Sequence, residues 1–208
     1  LVGSGGHTDL VLMRNHGNLE WIGGTRDDAA GEAFDKCARL LGLPYPGGPA
    51  IAAAAAKFKI QNSKFKMNMF PRPLINENNF DWSFSGLKTA VLREVNGKRL
   101  KVKEIQILAA EVQEAIVDSL VEKSIKAIKT YKPKSFLLAG GVAANYRLRE
   151  KFLSRIKSEI LQVIFHVPPS NLCTDNAAYI AACAFYNYKP VDWRKIKADP
   201  GLTIVGEV

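Results

Sequence analysis

The chain has 208 residues, of which 47% are hydrophobic and 24% charged, enough apolar material for a packed core and unlike the composition of a disordered protein. No apolar run approaches the roughly 20 residues that cross a bilayer, and no leader pattern is visible, so a cytoplasmic protein with no membrane partner is expected. Cys37, Cys173 and Cys183 have no metal or disulfide spacing, and 29 Lys and Arg against 20 Asp and Glu give a net charge of +9, suited to a polyanionic partner or simply to a soluble basic surface.

The chain starts at Leu1 and meets a Gly-rich turn by Gly3, which predicts the stub of a strand at Val2 whose leading part is missing. Asp9 to Arg14 and Leu19 to Gly23 read as a hairpin around Asn15, His16, Gly17 and Asn18. Thr25 and Asp28 have the spacing of a capping box, opening a helix to about Leu41 that Gly42 and Pro44 end. At 100° per residue, Asp28, Glu32 and Asp35 share one face of it, and Ala30, Phe34, Cys37 and Leu41 the other.

An Ala-rich helix is expected from Ala50 to about Lys57, followed by a basic, exposed, irregular stretch through Arg72 and Pro73. Phe80, Trp82 and Phe84 alternate like a short strand, and Ser85-Gly86 opens a helix from Leu87 to about Val95. The series Ile105, Leu108, Val112, Ile116, Leu120 predicts a long helix ending near Tyr131 and packed on the sheet. Ser135 to Ala139 then reads as a buried strand, Asn145 to about Lys157 as a helix and Val163 to Val167 as a strand. Thr174 or Asp175 would cap a last helix running to Tyr188, before a tail from Pro190. Strands alternating with helices after a hairpin give the α/β class with a mixed sheet.

Three Gly-rich turns stand where strands end and helices begin: Ser4-Gly5-Gly6-His7, Pro46-Gly47-Gly48-Pro49 and Ala139-Gly140-Gly141-Val142. Exposed N–H groups at such turns hold phosphate, and an acidic helix between the first two favours a nucleotide cleft over three plain turns. Asp35 is placed for ribose hydroxyls, or is part of a solvated helix face. Asn145 could bind a sugar or base, or act as an N-cap. Asp175 has the chemistry of a hard metal ligand, with capping as the alternative, and His7, His16 and His166 lack a metalloprotease spacing. Lys64, Lys66 and Arg72, then Lys98, Arg99, Lys101 and Lys103, then Arg147, Arg149, Lys151 and Arg155 form basic clusters that fit RNA phosphates or merely solubilise the surface.

Taken in order, SGGHT at Ser4–Thr8, DDAAGEAFDK at Asp27–Lys36, LLGLPYPGGP at Leu40–Pro49, FSGLKTA at Phe84–Ala90, AGGVAAN at Ala139–Asn145 and CTDNAA at Cys173–Ala178 resemble the TsaD family of tRNA N6-adenosine threonylcarbamoyltransferases. The resemblance spans Gly3 to about Tyr188. It implies the actin-like ATPase, sugar kinase and Hsp70 fold, with residues 1–188 as mostly the second ribonuclease-H-like lobe, N-terminally truncated, and 189–208 as a tail.

The reaction implied is transfer of threonylcarbamoyl from threonylcarbamoyl-AMP to the N6 amine of the adenosine beside the anticodon, in tRNAs reading codons that start with A. By motif, Val2, Gly3, Ser4, Gly5 and Gly6 would line the adenylate's phosphate and acyl region, and Asp35, Gly48 and Asn145 its nucleoside. Asp175 would be one ligand of a divalent metal, iron or zinc, whose two histidine ligands lie upstream in the family, outside this chain. Accessory subunits of the TsaB and TsaE type are implied partners in bacteria.

Gly3 stands where the family has an apolar residue before the serine, and Ala52 where many members have a polar or acidic one. Without the preceding lobe, this chain is expected to be inactive alone, to expose a sheet edge and an apolar face, and to self-associate. The alternative is a non-catalytic homologue binding nucleotide and partner subunits in the same pathway.

Overall fold

The computed structural model describes residues 1–58 and 69–198. The expected hairpin is present as β2 (Thr8–Asn15) and β3 (Asn18–Gly24), antiparallel, with Gly17 at φ +79° in the turn. β1 (Val2–Gly3) pairs antiparallel with β2. Its other side runs along the residues after β4 (Ser135–Leu137): Val2 bridges Ala139 in parallel, Ala139 N–H donates to Leu1 O and Gly3 N–H to Ala139 O, each at 2.9 Å. β4 in turn pairs in parallel with β5 (Ile164–His166).

The strands therefore lie in the order β3-β2-β1-β4-β5, a mixed sheet in which only β2 opposes its neighbours. This places β1 at the centre of the sheet. The outer strands are β3 and β5, because the parallel pairing to Ala139 fills the other side of β1.

Between β3 and β4 the described residues form four helices: α1 (Ala30–Leu40), α2 (Gly47–Lys57), α3 (Ser85–Val95) and α4 (Val102–Tyr131). α1 buries Ala30, Ala33, Phe34, Cys37 and Ala38, the face its period marks. Burial among these side chains pushes the Cys37 thiol up to about 12, so it packs as a small hydrophobe. The Thr25 capping box does not form. The Thr25 hydroxyl donates to Asp28 O at 2.7 Å, the helix starts at Ala30, and its first N–H is taken by the Thr8 hydroxyl at 2.8 Å. β2 thus caps α1.

The helix α4 packs chiefly on α2 and α5 (Tyr146–Glu159), with α1 and α3 next, and shares one core with Leu10 and Phe136 of the sheet. Its residues Ala109, Val112, Ile116, Leu120 and Val121 are fully buried among them. Its buried Lys123 donates to Glu77 O, Asn79 O and Asn79 Oδ1 at 3.0–3.1 Å, and burial lowers the lysine's pKa. The stretch before α3 is not uniformly exposed either. Phe70 is buried, and Arg72 binds Asp118 of α4 at 2.7 Å while its Nη1 donates to Phe70 O. Lys64 and Lys66 lie outside the described residues.

Trp82 and Phe84 are both fully buried, Trp82 in a single parallel bridge with Thr25 in place of a full strand. Asp27 ties this segment to α1 by accepting from the Phe84 and Ser85 N–H groups and from both serine hydroxyls, Ser83 and Ser85. Burial opposes its charge, yet these bonds hold the carboxyl below its usual range.

After β5, α6 (Ala177–Tyr186) is capped by Asn176, whose Oδ1 accepts from Tyr179 N–H at 3.2 Å; neither Thr174 nor Asp175 takes that place. No helix among the described residues is long and apolar enough to cross a membrane.

Candidate functional site

The three Gly-rich turns are connected through a closed ring of contacts. Gly31, in the first turn of α1, donates its N–H to Ser4 O at 3.0 Å, and a Cβ built on it would stand 2.6 Å from that oxygen. Asp35 follows one helical turn later on the same face. Its Oδ1 accepts the N–H of Gly47 at 2.7 Å, and a Cβ on Gly47 would meet the Asp35 Cα at 2.5 Å. α2 therefore begins pressed against α1, at a position only glycine fits.

One and two turns along α2, Ala52, Ala55 and Ala56 line a cavity of about 350 Å³ with Phe58, the α4 residues Ala110, Gln113 and Glu114, and Tyr146 and Arg147 of α5. Asn145 adjoins this cavity and donates to Gln113 Oε1 at 3.1 Å. The ring closes through Gly140, whose φ is +87° and whose added Cβ would lie 2.3 Å from Gly3 O. That close approach and the left-handed backbone both require glycine here.

Within the ring the candidate residues differ in what they have free. Val2 lies in the centre of the sheet, and Gly3 packs against Val142. In the first turn the Ser4 hydroxyl accepts from Gly6 N–H at 3.2 Å and His7 N–H at 2.9 Å, and Ser4 N–H donates to His7 O. Two of the N–H groups expected to cradle an anion are thus already held by the serine's own oxygen. Gly5 and Gly6 themselves are exposed, with open space at each Cα.

Asp35 keeps one carboxylate oxygen for a ligand after capping α2. Gly48 has nothing within 4 Å of an added Cβ and sits in the first turn of α2, where N–H groups have no partner inside the helix. Asn145 takes the N-cap place that was one of its two expected roles. Its Oδ1 caps α5 through Leu148 N–H at 3.0 Å while its amide faces Gln113.

The basic cluster of α5 does not face outward as a set. Arg147 pairs with Glu114 and Glu150, Lys151 with Glu114 and Asp118, and Arg155 with Glu122 and Glu159. The bonds to Glu114 raise the Arg147 pKa further. Arg149 points into the fold. It bonds Ala143 O, Pro168 O at 2.9 Å and Cys173 Sγ at 3.1 Å, tying the turn after β4 to the CTDN segment.

This structural role went unread in the sequence, although two matched stripes at four-residue spacing, 114/118/122 and 147/151/155, carry the signal for a charged helix seam.

Asp175 lies two residues beyond buried Cys173 and is exposed, with the Tyr179 hydroxyl donating to it at 3.3 Å. Among the described residues no group of three or more His, Cys, Asp or Glu could hold a metal ion. The residues described here do not by themselves make a metal centre, and no chemistry is derived through one.

The sequence matches the family described as TsaD: tRNA N6-adenosine threonylcarbamoyltransferase over residues 1–182. Proteins of that name are similar to it in Syntrophomonas wolfei, 50% identical over 90% of this chain and 54% of the relative, and in Geobacillus thermodenitrificans, 46% identical over 99% and 59%. One from Dehalococcoides mccartyi is 50% identical over 89% and 52%. The chain spans somewhat more than half the length of these curated relatives. With the match covering most of the chain and running through every Gly-rich turn of the ring, the protein belongs to the TsaD family.

Proposed function

We propose that this chain is the nucleotide-binding part of a tRNA threonylcarbamoyltransferase, moving threonylcarbamoyl from threonylcarbamoyl-AMP to the N6 amine of the adenosine beside the anticodon. The observation that carries the reading is the ring itself, three glycine turns joined by Gly31, Asp35 and Gly140 around the end of the sheet, with an apolar cavity beside Asn145. Such a shape suits an adenylate, an anion next to a flat apolar base.

In this arrangement the Gly5 N–H and the open face of Gly48 meet the phosphate and ribose, the free oxygen of Asp35 accepts from a ribose hydroxyl, and Asn145 orients the nucleoside. The incoming amine forms a bond to the carbamoyl carbon as the bond from that carbon to the phosphate oxygen breaks, so AMP leaves and the amine loses a proton. The protein's contribution is positioning of the two reactants. Asp175 would supply one carboxylate to a divalent metal, iron or zinc, whose other ligands come from outside the described residues and which would polarise the carbamoyl oxygen.

The strand order β3-β2-β1-β4-β5, with helices before β4, between β4 and β5, and after β5, supports residues 1–188 as a ribonuclease-H-like lobe of the actin-like fold. The exposure of α6, which carries no charged residue, supports a second lobe covering it in a protein as long as the relatives. We place the protein in the cytoplasm, working with accessory subunits of the TsaB and TsaE type.

The test is transfer of labelled threonylcarbamoyl to unmodified tRNA by this chain and by a version extended to the length of its relatives, each with metal and partner subunits. Transfer by the extended form alone is expected. Transfer by neither would favour the non-catalytic homologue, and transfer by the short form would remove the need for outside ligands.

A further inference from the structure

We propose that the turn joining α3 to α4, through Arg99, Lys101 and Lys103, is the surface on which this protein holds the phosphates of its RNA substrate. The inference rests on the tRNA reading above and adds where on the chain the polyanion sits.

The net charge of +9 implies cations without carboxylate partners, but the α5 set is consumed by Glu114, Asp118, Glu122 and Glu159, Arg72 by Asp118, and Arg149 by backbone carbonyls and a thiol. Arg99, Lys101 and Lys103 are exposed, and none makes an ion pair with a described residue. The two carboxylates nearby are already engaged. Glu94 binds Lys98 at 2.6 Å, and Glu104 accepts the Lys101 N–H at 2.7 Å to cap α4.

A stabilising role for the three side chains is not visible, since like charges four residues apart or closer repel at a helix start, where the helix dipole is already positive. That cost is offset once a polyanion binds. Val102, 72% exposed between Lys101 and Lys103, adds an apolar spot to the same surface.

Position supports the assignment. Lys103 stands seven residues before Ala110, which lines the cavity, so along α4 the basic turn lies about 10 Å from the cavity wall at 1.5 Å per residue. An RNA strand held there by its phosphates has a base within reach of the nucleotide site. A basic surface at the far end of α4 would not do this.

The experiment uses the protein extended to the length of its relatives, with its partner subunits and unmodified tRNA. Charge reversal at Arg99→Glu, Lys101→Glu and Lys103→Glu together should raise the Kd for tRNA about tenfold or more near physiological salt, and lower the slope of log K against log salt by about two to three. The glutamine triple variant should fall between, which separates lost attraction from added repulsion. Binding of a threonylcarbamoyl-AMP analogue should be unchanged, as should tRNA binding by a Lys134→Glu control. If the triple reversal binds tRNA as the parent does, the inference is overturned while the reading of function stands. If the parent protein binds no tRNA, both fall.

Discussion

The helices α5 and α6 invert the usual relation between charge and burial. α5 is rich in arginine, lysine and glutamate, yet its charged stripe is half-buried in a seam, with Arg147, Lys151 and Arg155 meeting Glu114, Asp118 and Glu122 of α4. α6 carries no charged side chain at all, yet Ile180, Phe185 and Tyr186 are mostly exposed, Tyr186 stacking on His16 with ring centroids 4.0 Å apart. Partners decide burial here, not residue type. A charged side chain can be enclosed when each carboxylate has its cation at hydrogen-bond distance, and an apolar helix stays exposed when nothing covers it.

The largest effect is expected at the buried cation of α4. Lys123 holds the turn around Glu77 and Asn79 by three bonds, so Lys123→Ala removes all three, leaving Asn79 O without its donor while Glu77 O keeps Lys126 and Asn79 Oδ1 keeps the Asp81 N–H, and opens a void beneath the turn. A loss of about 2–3 kcal/mol is expected in urea unfolding. Lys123→Met, which refills the void but not the bonds, should recover only part of it. A loss below about 0.5 kcal/mol for the alanine variant would show that water replaces the ammonium without cost.

At α6 the effect should fall on association and not on folding. Exposed apolar surface of this kind drives self-association, so the 208-residue chain is expected to sediment as oligomers whose size grows with concentration. Ile180→Glu with Phe185→Lys should shift it toward monomer. Its unfolding midpoint should move little, because surface substitutions away from special features change stability by about 0.5 kcal/mol or less. Unchanged oligomers in that variant would place the sticky surface elsewhere.

These two helices also show what the sequence could and could not disclose. The hairpin, α1 and its buried face, α3, α4, the β4-α5-β5 unit and the Gly-rich turns were readable, because each follows from local periodicity, turn chemistry or a run of family motifs. The places where reading failed all depend on a distant partner. Thr8 caps α1 from 22 residues away, Phe70 and Arg72 are drawn into the core by α4, and Asp118 neutralises cations that looked free.

For the candidate site, the sequence marked Asp35, Gly48 and Asn145 through the Gly-rich turns and helix starts they stand at. The cap that Asn145 makes was foreseen as one of its roles, but not that Asp35 caps α2 or that the Ser4 hydroxyl occupies N–H groups of its own turn. Nothing local in the chain marks a side chain that serves two partners.

The smallest effect expected lies at the end of the charged seam and concerns pH. Glu159 accepts from Arg155 and Lys129, and these two cations, Arg155 foremost, hold its carboxyl down at about 2 from the ordinary 4.5. A depressed carboxyl pKa means the unfolded chain binds the proton first as pH falls. The pairing therefore stabilises the fold fully above about pH 4.5 and loses that contribution as pH drops toward about 2. Comparing the parent chain with Glu159→Gln, the stability difference should be present at pH 6 and shrink steadily below pH 4.5. Because the seam opens to solvent at this end, it should also shrink in about 1 M salt, where screening acts within about 3 Å. A difference independent of both pH and salt would mean that Glu159 contributes by packing its methylenes, and that the ion-pair seam ends one turn earlier, at Glu122.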